Sequence, residues 1–349
     1  MPVQIPLQPR AGDALRPLPK GRLTSSHIAR WCAAQENWAK IHFDQAYARD
    51  TAKLPGTLIN GALKQHLLAQ FLCEAFDGRG WVWRVDYQFT GMDLIGHAIE
   101  VRGTVSAVHE HADRQFVVVD LSIVNIDLDS VTTTGTGVVV LPKSAQPLHD
   151  VVELDLPAAL RLSEAVEPVQ GAVPANIADA LGQELDYVES AYPLDLSRLR
   201  LFAEAVMGVR PLHFDPTAAA AGPHGHVVAP PLFPLHGLDF LPGTHPLSAT
   251  PAASGREGVA ELPHDLATRF GIDPAGSLNG GSKIEVHSLL PVGAHLVAGS
   301  KLVAVKHRTG RTGGAMLIFE TINKFRESSG RPVLTERHAS IYRLQDTKD

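Results

Sequence analysis

The chain has 349 residues, 44% hydrophobic and 19% charged, a balance that excludes a disordered protein. Its length predicts two domains, each able to bury a core. A formal charge of −6 without a long basic run excludes nucleic acid as the main partner.

No apolar stretch is long enough to span a bilayer, and the N-terminal MPVQIPLQPRAGDALRPLPKG lacks the apolar centre of a secretion signal. With only Cys32 and Cys73 there is no disulfide framework, and a reducing, cytoplasmic location is expected.

Thr24-Ser25-Ser26 is good N-cap chemistry and predicts a helix over HIARWCAAQENW. After IHFDQAYARD and the turn-like PGTLING comes ALKQHLLAQFLCEAF. Its Leu63, Leu67, Leu68, Phe71, Leu72, Ala75 and Phe76 predict a helix buried on several sides, ended by Asp77-Gly78. In WVWRVDYQF the apolar residues alternate with Arg84, Asp86 and Gln88, the period of a strand. IEVRGTVSAV, QFVVVDLSIVN and Val131 to Leu141 complete an antiparallel set. One buried helix followed by a run of strands predicts an α+β unit with its sheet curled around the helix. Lys143 to about Pro174, rich in Pro, Ala and acidic residues, reads as a linker with room for a short helix.

The pattern then returns. His42-Phe43-Asp44 reappears as His213-Phe214-Asp215, and PGTLING is matched by PLFPLHG (231–237). Gly96 with TVSAVHE resembles Gly293 with KLVAVKH, and LSIVN resembles FETIN at Asn323. An insertion at roughly 241–273 accounts for the growing offset, and Pro242, Pro246 and Pro251 forbid a long helix there. The expected division is 1–142, a 143–173 linker, and a degenerate companion at 174–349.

Residues 20–140 resemble the MaoC-like, R-specific enoyl-CoA hydratases, through N-W-A-K-I-H at Asn37 to His42 and I-N-G ending at Gly61. LRLFAEAVMGVRPLHFDP and LNGGSKIEVHSLLPVG resemble the companion unit of two-domain members. The resemblance implies a double hotdog with two antiparallel sheets, each curled around a central helix, the second helix degenerate. It also implies an internal pseudo-dimer, with a monomer of this kind and a homodimer of such chains as the alternatives.

The implied activity is reversible hydration of an enoyl thioester, with acyl-CoA as substrate and no further cofactor. The family's usual Asp is here Asn37, a replacement shared with mesaconyl-type hydratases of branched dicarboxylic thioesters.

Hydration needs a base for water, an acid for Cα, and a partner for the charge on the thioester oxygen. The resemblance gives the proton transfers to His42 and the oxygen to the N–H of Gly61, where the helix N-terminus favours negative charge. Asn37 cannot exchange a proton at neutral pH and would orient the water, with Asn60 beside the substrate. Glu36 is a weaker candidate. The same residues also read more plainly, as a capped loop histidine (His42), a turn glycine (Gly61) and a polar helix end (Asn37).

Lys306, Arg308 and Arg311 form either a solvated hairpin or a cationic patch for CoA phosphates. In the second copy Gly208 and Arg210 replace the polar partners of His213, and His236-Gly237 mimics Asn60-Gly61.

His109-Glu110-His111 and His224-Gly225-His226 lack metal-ligand spacing, and no nucleotide-binding or nucleophile-elbow motif is present. A hotdog thioesterase and a non-catalytic acyl-CoA-binding subunit are the competing functions.

Overall fold

A computed structural model describes residues 8–35, 37–143, 148–184, 187–208, 210–241, 270, 272, 277–309 and 314–343. The first half supplies five strands: Leu18–Arg22 (β1), Trp81–Phe89 (β2), Ala98–His111 (β3), Arg114–Asn125 (β4) and Ser130–Pro142 (β5). The second supplies five more: Val188–Glu189 (β6), Ser277–Val286 (β7), Leu296–Thr309 (β8), Ala315–Glu327 (β9) and Pro332–Arg343 (β10). The helices are Ser25–Gln35 (α1), Gly61–Ala75 (α2), Ala175–Ala178 (α3), Leu196–Ala205 (α4) and Pro216–Ala220 (α5). No helix among the described residues is long and apolar enough to cross a membrane.

In place of the two sheets expected, all ten strands form one antiparallel sheet in the order β1-β3-β4-β5-β2-β7-β10-β9-β8-β6, because β2 and β7 pair across the halves. Outward from the β2–β7 seam, each side repeats one plan. At the seam Arg84 lies opposite Glu285 and Asp86 opposite Lys283. Two units thus share a continuous sheet within one chain, as an internal pseudo-dimer requires.

Helix α2 lies against β2, β3, β4 and β5. Leu63, Leu67, Leu68 and Leu72 are fully buried and Phe71 nearly so. Its Lys64, Gln65 and His66 are buried as well, which costs free energy unless each finds a partner. Lys64 pairs with Asp93, and Gln65 accepts from the Tyr87 hydroxyl. The His66 ring packs between Trp31 and Phe202, with centroids 5.3 and 4.9 Å away.

The two units correspond in detail. Gly96 and Gly293 both take positive φ, 97° and 92°, and donate their N–H groups to Leu23 and Leu194. Long strand β3 bulges between Val105 and Ala107, and β8 between Leu302 and Ala304.

The register corrects two of the repeats read from sequence. The bridges Leu58–Leu94 and Val228–Pro291 occupy equivalent places, so Asn60-Gly61 corresponds to Pro230-Pro231 and not to His236-Gly237. Similarly, Asn125 pairs with Ile99 at the end of its ladder, while Asn323 pairs with Ser300 well inside its own. Letter matches in short segments carry no record of register.

Strand β1 escapes the periodicity argument. LPKGR is a short edge strand with Pro and Gly, and such strands carry no apolar alternation. The expected linker runs as a strap with one short 3-10 turn at Ala158–Leu160. Glu167 and Gln170 donate backbone N–H groups to Val303 and Val305, and so cover the exposed edge of β8. Directly after Pro230-Pro231, where α2 follows Asn60-Gly61 in the first unit, the described residues hold only the 3-10 turn Phe233–His236, and 242–269 lie outside the described residues.

Candidate active site

His42 closes a 3-10 turn, Lys40–His42, and is buried. Its Nδ1 lies 3.0 Å from the carbonyl oxygen of Leu58. A carbonyl only accepts, so Nδ1 carries the proton and the lone pair of the neutral ring resides at Nε2, the tautomer a general base needs. Leu58 in turn donates its N–H to Ile41. These two bonds fasten the histidine turn to the segment that enters α2 three residues later at Gly61.

Asn60 is the N-cap residue of α2 and has no exposed surface. Its side chain caps nothing: Nδ2 faces Cys32 Sγ at 3.8 Å, and Oδ1 has no hydrogen-bond partner. A fully buried amide oxygen without a partner is costly in a folded protein.

Gly61 begins the helix and is only partly buried. A Cβ there would come within 2.9 Å of two Phe89 ring atoms, so only glycine lets the helix start this close to β2. Replacing Gly61 by Ala should push that first turn away from β2. The resemblance gives the N–H of Gly61 to the thioester oxygen, and losing one aligned oxyanion donor costs about 100- to 1,000-fold in kcat. A Gly61→Ala protein with wild-type turnover on its best thioester would remove this residue from the site.

The first turn of α2 is anchored by a buried polar cluster that sequence reading did not pick out. Lys64 Nζ is 2.8 Å from Asp93 Oδ2 and 4.8 Å from the centre of the Phe89 ring. Asp93 also accepts from Thr132 Oγ1 at 2.7 Å and Asn125 Nδ2 at 2.8 Å, and its carbonyl accepts the N–H of Ile59. The signal available in the sequence was a lysine inside an otherwise apolar helix.

Asn37 sits just past α1, partly buried. Its Oδ1 accepts the N–H of Ala39 at 3.3 Å, which leaves Nδ2 as its donor. Glu36 and Arg311 lie outside the described residues. Lys306 and Arg308 are on β8, near the far edge of the sheet. Lys306 Nζ is 2.5 Å from Glu320 and 3.2 Å from Glu167, while Arg308 Nη2 donates to Gln170 Oε1 at 2.5 Å. Lys306 thus lies between two carboxylates and, with Arg308, ties β8 to the strap. Among the described residues no cluster of His, Cys, Asp and Glu could hold a metal ion.

The second unit keeps the histidine and loses its surroundings. His213 Nδ1 bonds the carbonyl of Val228 at 2.9 Å, the counterpart of the His42 bond. Pro230 and Pro231 stand where Asn60 and Gly61 stand in the first unit, and proline has no N–H to offer an oxyanion.

Burial pushes the His213 ring down to about 4, and the rings of His224 and His287 to about 4 for the same leading reason. Between pH 6.5 and 4 the unfolded chain binds protons that the native rings refuse, so stability falls as pH falls. A shift of this size at His213 is worth about 3 kcal/mol. Melting temperature should therefore drop steeply from pH 6.5 to 4; a flat profile would contradict neutral burial of these rings.

Comparison with known proteins adds to this geometry. Residues 8–94 match the family model of hydroxyacyl-thioester dehydratase type 2, and residues 180–336 that of the FAS1-like dehydratase domain region. These matches support the MaoC-like dehydratase family.

Solved structures resemble the whole chain. A MaoC domain protein from Chloroflexus aurantiacus J-10-fl aligns with TM-score 0.64 at 14% identity, covering 98% of this chain and 99% of that one. A MaoC-like dehydratase aligns with TM-score 0.58 at 13% identity, covering 96% and 99%. A Mycobacterium tuberculosis protein described as a double hotdog aligns with TM-score 0.56 at 12% identity, covering 96% of each chain. At such identities the likeness establishes the double hotdog fold. No curated protein matches the chain.

Proposed function

We propose that this MaoC-like chain is a hydro-lyase that adds water reversibly across the C=C bond of an enoyl thioester, with the thioester carried on CoA. The observation that carries this reading is the fastening of His42 through Leu58 to the segment that delivers Gly61 to the start of α2. Water attacks Cβ and gives a proton to His42 Nε2, and the imidazolium then protonates Cα. The hydroxyl ends on Cβ and the hydrogen on Cα, so the ring is regenerated. The N–H of Gly61 holds the thioester oxygen while it bears enolate charge. Asn37 Nδ2 steadies the water, and the unmatched Oδ1 of Asn60 offers an acceptor to the hydroxyl that this water becomes on Cβ.

Hotdog thioesterases usually rely on a carboxylate near the start of the helix. The first turn of α2 holds no acidic residue, and Asp93 beside it is already committed to Lys64. Incubation with crotonyl-CoA and mesaconyl-CoA tests the proposal. Loss of enone absorbance without release of free thiol is the expected result, and thiol release would overturn it.

A further inference from the structure

Buried polar groups without partners gather beside the candidate site. Gln35, which closes α1, is 8% exposed, and among the described residues neither its Oε1 nor its Nε2 has a hydrogen-bond partner. Trp31 is fully buried, and its Nε1–H likewise finds no acceptor. On α2 and its cap, His66 Nε2 and Asn60 Oδ1 are buried and unmatched too. Each such group costs free energy, and a packed interior keeps few of them.

These groups adjoin one another. The Trp31 and His66 rings are 5.3 Å apart, centre to centre, and Asn60 Nδ2 faces Cys32 Sγ at 3.8 Å. Gln35 lies one helical turn beyond Trp31 and Cys32, and positions so spaced share a helix face. The chain then passes directly to Asn37. The row therefore begins at the reacting centre, where Asn37, Leu58 and Gly61 are only partly buried, and continues between α1 and α2.

The row is polar but carries no charge. Trp31 Nε1 only donates, Asn60 Oδ1 only accepts, and the Gln35 amide does both. Burial keeps the His66 ring neutral, and the Lys64 ammonium is committed to Asp93 at 2.8 Å. A carboxylate lodged here would lose its water without gaining a countercharge. An alkyl chain would leave the amide unmatched. A hydroxyl donates and accepts at once, and so satisfies both ends of Gln35.

Asn60 Oδ1 already serves the hydroxyl that forms on Cβ. From its neighbour Cys32 to Gln35 the helix advances about 4.5 Å, the reach of three or four further bonds along an acyl chain. We infer that Gln35 selects an enoyl thioester whose acyl chain bears a hydroxyl about three carbons beyond Cβ, in preference to an alkyl or a carboxylate end. This rests on the hydratase reading of the His42 site, so binding is measured apart from turnover and the two can fail separately.

Titration calorimetry of the full chain with three saturated, unreactive thioesters tests it. They are 6-hydroxyhexanoyl-CoA, heptanoyl-CoA with a methyl in place of the hydroxyl, and adipyl-CoA with a terminal carboxylate. The hydroxy thioester should bind about tenfold or more tightly than either of the others. Gln35→Met, similar in length and helix propensity, should make the hydroxy and heptanoyl thioesters bind alike. The inference is overturned if the hydroxy thioester does not bind, or if all three bind equally, as they would were water to fill the row. It is also overturned if heptanoyl-CoA or adipyl-CoA binds best, or if a folded Gln35→Met keeps the wild-type order. A melting curve checks that variant; should it unfold, the wild-type order alone decides. Turnover of crotonyl-CoA reports on the reaction itself, and its absence beside an intact binding order would end the hydratase reading while leaving the subsite.

Discussion

Replacing His42 by Ala should lower kcat on an enoyl thioester about 100- to 10,000-fold, the usual worth of a positioned acid–base group. The loss should be in kcat and kcat/KM together, because the ring acts on protons in flight and not on the resting substrate. Stability is expected to change much less. The ring's hydrogen bond to Leu58 is of a kind that contributes about 1 kcal/mol net. Steady-state kinetics beside a melting curve separates the two effects. Unchanged turnover in a folded His42→Ala protein would end the enzymatic reading.

Asp93→Ala should be the most damaging single change to the fold. It strands the Lys64 ammonium, whose side chain is 4% exposed, and removes acceptors from Thr132 and Asn125. Burial already pushes Lys64 down, with Asp93 opposing, so loss of the carboxylate leaves the cation unsupported. Breaking a buried pair in this way costs about 3–5 kcal/mol. The second unit sharpens the expectation. Ala229 there donates to the carbonyl of Leu290, as Ile59 donates to that of Asp93, so an apolar side chain suffices at the equivalent place. A double change, Lys64→Met with Asp93→Leu, should therefore recover much of the stability lost by Asp93→Ala alone. Denaturant unfolding of the single and double variants measures this, and a double variant no better than the single would refute it.

Much of the fold was legible because periodicity reports burial. Trp81 to Phe89 alternates as a strand must when one face is covered, and Leu63 to Phe76 carries apolar residues on several sides, as a helix packed against a sheet does. Edge strand β1 was not legible, since an edge has little apolar patterning to show. Within the site, His42 and Gly61 stand out through motif spacing, but the Leu58 carbonyl that joins them is backbone and leaves no mark on the sequence. The pairing of Lys306 was hidden from the sequence for a related reason. Its partners Glu320 and Glu167 come from a neighbouring strand and a distant strap, so a local cluster of cations looked unpaired.

The β2–β7 seam has an evolutionary corollary. An interface between identical copies must match itself, and each substitution strikes both sides together. Covalent linkage lifts that restriction: Asp86 can face Lys283, and Arg84 can face Glu285, with each side altered alone. Released from self-recognition, one half is free to retain chemistry while the other specialises, and halves produced separately should choose each other over themselves.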